Sequence, residues 1–512
     1  MSSNKEIKIG SILSYVQMFL SVIIALTYSR FMISKLGRSE YGLYHTVTST
    51  ISMLSILNLG FNASYVRFYA KYKKNKDFDN IYRLNGMFLI VFTFIGLIAL
   101  LCGIFLIFNL NLVFDTGLTA EEYDLARKLM ILLIINLSLS FPMSVFSTII
   151  SSNEKFIFLK LLGMIKTVLG PLVNIPLLLM GFRSVGLVVS ALIFAILTDI
   201  VYIYYVLFKL HNKFYFSNYE KGLFSSLFSF SFFIAVNLIV DQINNGIDRV
   251  LLARFKGTVS VAIYSIGATL YVYYMQISTS ISSVFTPRIH KIYNSIDNLD
   301  QRNKSLSDLF IKVGRIQFLI LLLAVSGICV FGDSFIYFWV GNGYSDSYYV
   351  LILLVVPATV PLIQNIGIEI QRAANKHKFR SIAYLVMAVC NLIVSIFLCQ
   401  LYGAIGAAIG TAISLVLANG IIMNIYYFKC LGIDIPRFWN NILKMGIGII
   451  PALIIGSLIK IFIPITSVLF LVLYALLYTI VFSCCAWFLA MNSDEKNLFI
   501  TPINKILHAR KK

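Results

Sequence analysis

The chain has 512 residues and a mean hydropathy of +0.86; 59% of the residues are hydrophobic and only 12% charged. Soluble domains carry about 25% charged residues, so an array of soluble domains is excluded, as are disorder, a collagen-like repeat and a disulfide scaffold. The net charge of +20, from 42 Lys+Arg against 22 Asp+Glu, would suggest nucleic acid in a soluble protein. In a chain this apolar, membrane topology accounts for it and no nucleic-acid partner is needed.

In chain order, a short basic start with Lys5 and Lys8 precedes an apolar stretch at about 10–33, long enough to span a bilayer. It lacks a small-x-small cleavage site with a polar sequence after it, so it reads as a first transmembrane helix, not a removed signal peptide. Further spans of about 20–26 residues are expected at 43–66, 86–110, 129–151, 156–180, 184–207, 226–252, 260–286, 314–340, 349–371, 381–401, 404–428, 441–463 and 466–490, about fourteen in all. The connections are short, the longest being a polar, basic loop from Pro287 to Lys312. With the N-terminus inside, cytoplasmic segments hold 28 of the 42 Lys+Arg and external loops hold 7. That asymmetry places both termini of a multi-pass membrane protein in the cytoplasm. The seven cysteines lie in apolar runs without CxxC spacing and read as small core hydrophobes.

An internal repeat is visible. Gly37-Arg-Ser-Glu-Tyr41-Gly-Leu-Tyr44 follows the first span and Gly257-Thr-Val-Ser-Val261-Ala-Ile-Tyr264 the seventh. Arg30 and Arg249 precede the two glycines, Asn153 and Gly186 match Asn375 and Gly406, and Ile203-Tyr-Tyr205 matches Ile425-Tyr-Tyr427, all at offsets near 220 residues. Six spans per repeat is an even number, so both halves share one orientation. The expected architecture is all-α: an N-lobe at 1–215, a C-lobe at 216–432 in a parallel pseudo-twofold repeat, and two extra helices with a tail at 433–512. Transporters built this way place substrate between the halves.

Lys8-Ile-Gly, Lys35-Leu-Gly-Arg-Ser-Glu-Tyr-Gly-Leu-Tyr44, Asn58-Leu-Gly-Phe61 and the 6+6+2 plan resemble the polysaccharide-transport family. This is the Wzx-type oligosaccharide flippase branch of the multidrug/oligosaccharidyl-lipid/polysaccharide (MOP) exporter superfamily. The resemblance covers essentially the whole chain. It implies a MATE-like fold and export of an undecaprenyl-pyrophosphate-linked oligosaccharide across the bacterial cytoplasmic (inner) membrane, for O-antigen, exopolysaccharide or a related surface polymer. It also implies a cationic lumen for the anionic pyrophosphate.

Charged side chains inside a bilayer are costly and generally face a cavity or a partner. In span seven Asn237, Asp241, Asn244 and Asp248 step by 4, 3 and 4 residues and so share one helix face, with Asn245 and Arg249 beside it. This stripe reads either as a cavity wall or as a structural network in which Asp241 or Asp248 neutralises Arg249. Asn58 and Asn62 of span two and Gln276 of span eight read either as cavity lining or as polar contacts between closely packed helices. Arg30, Arg249, Lys166 and Arg67 are the candidate cationic contacts, since guanidinium groups suit phosphate oxygens. The alternatives are snorkelling for Arg30, a local pair with Asp248 for Arg249, and an ion pair with Asp199 for Lys166. Asp241 and Asp199 are the candidate carriers of a coupling H+ or Na+.

No nucleotide loop, metal-ligand spacing, catalytic triad or cofactor motif occurs, so no catalytic role is assigned. Two other readings stay open: a cation-coupled multidrug exporter of the same superfamily, and a membrane polymerase or ligase acting on lipid-linked glycans. Short external loops weigh against the second. A flippase would work beside membrane lipids, a polysaccharide polymerase and chain-length proteins.

Overall fold

The computed structural model describes residues 3–114, 118–217, 219, 222–376, 378–497 and 500; the side chains of 3–12, 14, 15, 229, 230, 232, 233 and 245 are outside that description. The described residues form helices without strands: α1 (Ser3–Met53), α2 (Phe61–Lys74), α3 (Phe78–Phe108), α4 (Ala120–Ser152), α5 (Phe156–Leu179), α6 (Arg183–Tyr204), α7 (Leu223–Lys256), α8 (Thr258–Ser295), α9 (Leu299–Val340), α10 (Asp346–Ile363), α11 (Ile366–Ala373), α12 (Lys378–Leu415), α13 (Met423–Leu431), α14 (Ile435–Phe462) and α15 (Val468–Cys485). The boundaries follow local chemistry. Thr119 and Glu122 form a reciprocal capping box at α4, Asp77 caps α3, and Asp434 caps α14 ahead of Pro436.

Among the described residues, eleven helices are long and apolar enough to cross a membrane, against an expectation of about fourteen. The difference has a structural basis. The segments Val16–Lys74 and Lys378–Leu431 count once each but hold 59 and 54 residues. At about 1.5 Å per residue each far exceeds a bilayer core of about 30 Å. α1 is kinked at Gly37 (φ 74°, ψ 176°) and α12 at Gly403 (φ 58°, ψ −132°). α7 is a further helix of 34 residues, its side chains described only in part.

Three expectations change. The second span is not continuous: α1 ends at Met53, a 3₁₀ turn follows, and Leu59 (φ 49°) and Gly60 (φ 72°) turn the chain into α2. The tenth span breaks at Gln364–Asn365, just after Pro361, between α10 and α11. The loop expected from Pro287 to Lys312 is helical except at 296–298, because α8 runs through Pro287 and α9 starts at an Asn298 cap. Polar residues beyond the apolar core can stay helical in water, and hydropathy does not mark where such a helix ends.

The chain divides by packing into two compact units, residues 1–265 with 388–407, and 266–387 with 408–512. The repeat expected at 1–215 and 216–432 is a division by sequence instead. In the first unit α3 lies along α4, and α1 packs on α4, α5, α6 and α7. Its core is aromatic: Tyr65 meets Phe88 edge-on at 5.0 Å, and its hydroxyl donates to Asn85 Oδ1 at 2.6 Å. In the second unit α9 is central, packed by α10, α14 and α15. Large apolar side chains stay exposed on the helices, Phe94, Phe108, Phe462 and Phe488 among them, as surfaces facing hydrocarbon require.

The repeat has local structural counterparts. Gly37 and Gly257 share one glycine-specific conformation, φ 74°, ψ 176° and φ 80°, ψ 178°. Phe158 stacks on Tyr205 at 4.0 Å, and Phe379 on Tyr426 at 4.3 Å. Both members of the second pair lie 221 positions after those of the first.

Candidate functional site

The two repeated motifs meet. The Ser39 hydroxyl lies 2.8 Å from that of Thr258 and also donates to Glu122. A Cβ on Gly42 would collide with the Thr258 carbonyl, so glycine allows α1 and the start of α8 to approach this closely. Glu40 of the same motif is buried and accepts from Ser184 N at 2.9 Å and Ser184 Oγ at 2.6 Å, while Arg183 Nε pairs with it at 2.9 Å. The sequence reading missed this clasp. Its available signal was Glu40 itself, the acidic residue of a motif that otherwise carries only basic, hydroxyl and apolar side chains.

Below the clasp, α7 lays polar side chains against α1 and α2. Arg249 is half-buried; its Nε donates to Ser265 Oγ at 3.2 Å and its Nη1 to Ser49 Oγ at 3.4 Å. Asp248 is buried and accepts from the Tyr264 hydroxyl at 2.6 Å. Gln242 Nε2 donates to Ser55 Oγ at 2.9 Å, and the hydroxyls of Ser64 and Ser231 lie 2.6 Å apart. Helix spacing puts Asn237, Asp241, Asn244 and Asp248 on one face, and burial grades along it. Asn237 and Asp241 are exposed, Asn244 is half-buried and Asp248 is sealed. The side chain of Asn245 lies outside the described residues, as does that of Lys8.

Arg30 is exposed and makes no hydrogen bond or ion pair among the described residues, so it does not share the partners of Arg249. Register explains the difference. With Gly37 and Gly257 equivalent, Arg249 corresponds to position 29, and one residue along a helix is a rotation of about 100°. Arg67 is exposed on α2. Lys166 is exposed on α5, and among the described residues no ion pair joins it to the half-buried Asp199 of neighbouring α6. Asn62 Oδ1 accepts from Thr148 at 3.3 Å. Asn58 sits in the 3₁₀ turn after α1, its Oδ1 buried and without a hydrogen bond among the described residues. Gln276 is half-buried in the second unit.

A second network escaped the sequence reading because it joins residues far apart in the chain. Buried Arg315 of α9 holds buried Glu495 with Nε at 2.6 Å and Nη2 at 2.9 Å, and donates to the Ala490 carbonyl at 3.0 Å. No group of three or more His, Cys, Asp or Glu residues suited to a metal occurs among the described residues.

Hydroxyls, amides and charged groups thus meet where α7 packs against its neighbouring helices. Among proteins of known type, the chain is 24% identical over 412 residues to a Shigella flexneri protein named provisionally as an O-antigen transporter, covering 80% of this chain and 94% of that one. It is 25% identical over 235 residues to a Haloferax volcanii protein named provisionally as the low-salt glycan biosynthesis flippase Agl15, covering 45% and 48% of the two chains. In fold it is similar to the lipid II flippase MurJ in an inward closed conformation, with a TM-score of 0.72 at 18% identity over 93% of this chain and 98% of that one. It is also similar to an inward-facing MATE-family transporter of the MOP superfamily, with a TM-score of 0.63 at 15% identity over 84% and 99%. Residues 6–293, more than half of the sequence, match the polysaccharide biosynthesis protein family. The chain is a multi-pass membrane protein and belongs to that family.

Proposed function

We propose that this protein is a flippase that carries an oligosaccharide linked to undecaprenyl pyrophosphate from the inner to the outer leaflet of the bacterial cytoplasmic membrane, by alternating access, for surface polysaccharide synthesis. The observation that carries this reading is the graded polar face of α7, open at Asn237 and Asp241 and sealed at Asp248. An accessible amide and carboxylate on a transmembrane helix fit water better than lipid. Each polar group left unsatisfied in hydrocarbon costs several kcal/mol. A glycan head group presents many hydroxyls and a charged pyrophosphate, and a hydrated wall removes most of that cost while the polyprenyl tail stays in lipid. The names of the Shigella and Haloferax relatives and the MurJ-like fold support the same substrate class.

Counting each of the two kinked segments as two passes and α7 as one gives fourteen crossings, an even number that puts both termini on one side, the cytoplasmic side by the distribution of basic residues. In that orientation the open end of the α7 face is cytoplasmic, where the lipid-linked unit is made, and the sealed end is external. The seal consists of hydrogen bonds that can exchange partners: Arg249 with Ser49 and Ser265, and Ser39 with Thr258. Alternating access would open this end by separating those groups. Arg249, Arg30, Arg67 and Lys166 are the proposed head-group contacts, and Asp241 or Asp199 the proposed carrier of a counter-ion. A polysaccharide polymerase and chain-length proteins are the proposed downstream partners.

The test is complementation. Asn237→Leu with Asp241→Leu would make the open face apolar without touching the seal. Surface polysaccharide should be lost while the protein stays at normal levels in the membrane. Full polysaccharide with both substitutions present would remove α7 from the path.

A further inference from the structure

A cavity of about 630 Å³ opens in the second unit between the end of α8 and the start of α9. Arg288 and Lys291 line it from α8, and Lys312 from α9, with the hydroxyl residues Ser295 and Ser305. Arg288 and Lys291 are three residues apart on α8, hence neighbours on one face, and neither forms an ion pair among the described residues. Lys312 has only a long contact, 3.7 Å, to exposed Asp494. The one acidic side chain in the lining, Asp308, is bound by Arg437 of α14 at 2.7 Å. Three cations therefore share one cavity while its carboxylate is already neutralised.

Position identifies the anion. The apolar run of α8 ends at Phe285, and that of α9 begins near Ile316. At about 1.5 Å per residue, Arg288 and Lys312 stand about 5 Å beyond the hydrocarbon-facing segments, the level of lipid head groups. Basic pockets between helix ends at this level suit phosphate head groups, each cation adding attraction. We propose that this cavity binds the phosphate of an anionic phospholipid from the leaflet at this end of α8 and α9. Arg288 and Lys291 grip the phosphate, Lys312 closes from the other wall, and the serine hydroxyls take its remaining oxygens. This assignment stands independently of the flippase reading.

The test uses the full chain in mixed micelles of phosphatidylglycerol and phosphatidylcholine, with bound lipid identified by native mass spectrometry. Phosphatidylglycerol should be enriched on the protein roughly tenfold. Arg288→Gln with Lys291→Gln should abolish the enrichment; Arg288→Lys with Lys291→Arg should retain it. Lys73→Gln with Lys74→Gln, at the end of α2, should leave it unchanged. Absence of enrichment in the unmodified protein, or its persistence in the Gln pair, would overturn the proposal. Equal loss in the α2 pair would reduce it to general surface charge. Displacement of the lipid by an equal concentration of inorganic phosphate would mark a soluble-anion site instead.

Discussion

The Glu40 carboxylate holds the Arg183 guanidinium at 2.9 Å and accepts from both the backbone and the hydroxyl of Ser184. One buried acid just past the Gly37 kink thus fixes the start of α6. Hydrogen bonds to a charged group contribute about 1.5–3 kcal/mol when buried. Glu40→Gln keeps the shape but removes the charge, and is expected to lower stability by roughly 1–3 kcal/mol, read as a drop in the unfolding midpoint in detergent. Arg183→Gln should cost much less, because Arg183 is 61% exposed.

Gly60 turns the chain between the 3₁₀ segment and α2 with φ 72°, and a Cβ there would lie 2.7 Å from Ile234 Cβ of α7. Both features forbid a side chain. Gly60→Ala is expected to destabilise by about 1–3 kcal/mol through the left-handed backbone and the overlap together. Gly170→Ala is the control, since no atom lies within 4 Å of its added Cβ and its φ is not positive. The comparison is made by thermal unfolding of the two purified variants.

Span positions were legible because hydropathy alone marks a helix that must cross hydrocarbon. The match between the Gly37 and Gly257 motifs was legible, and the two glycines share a conformation that only glycine adopts readily. The interruption at Leu54–Gly60 was not, because Asn58-Leu-Gly sits in an apolar run and helical periodicity hides a single left-handed residue. The face of α7 was legible as a stripe, but its grading from open to sealed depends on which helices pack over each turn. The matching of Arg30 with Arg249 misjudged the register by one residue, which on a helix separates an exposed side chain from a half-buried one. Glu40 and Arg315 were passed over because their partners lie 143 or more positions away.

Arg315 and Glu495 form a buried ion pair that ties α9 to the segment after α15. Removing one partner strands a buried charge, at a cost of about 3–5 kcal/mol. Arg315→Met and Glu495→Leu should each reduce the folded fraction strongly. The double variant Arg315→Met with Glu495→Leu should recover much of that loss, since an apolar pair of similar volume leaves no charge behind. Additive losses in the double variant would show that the two residues act separately.

The grading of α7 has a direct chemical readout. In a chain whose seven cysteines are replaced by serine or alanine, Asn237→Cys and Asp241→Cys should react with a membrane-impermeant thiol reagent applied from the cytoplasmic side of inverted vesicles. Asp248→Cys, at the sealed end, should react slowly or not at all. Equal labelling at all three positions would mean that the face is uniformly hydrated and that no seal forms at Tyr264 and Asp248.

The most direct measurement is leaflet-resolved mass spectrometry of lipid-linked glycans in cells depleted of this protein. A flippase requires completed undecaprenyl-pyrophosphate-linked units to accumulate on the cytoplasmic leaflet, and their return to normal when the unmodified chain is restored. Units that reach the outer leaflet at the normal rate in depleted cells, with no second flippase present, would contradict it.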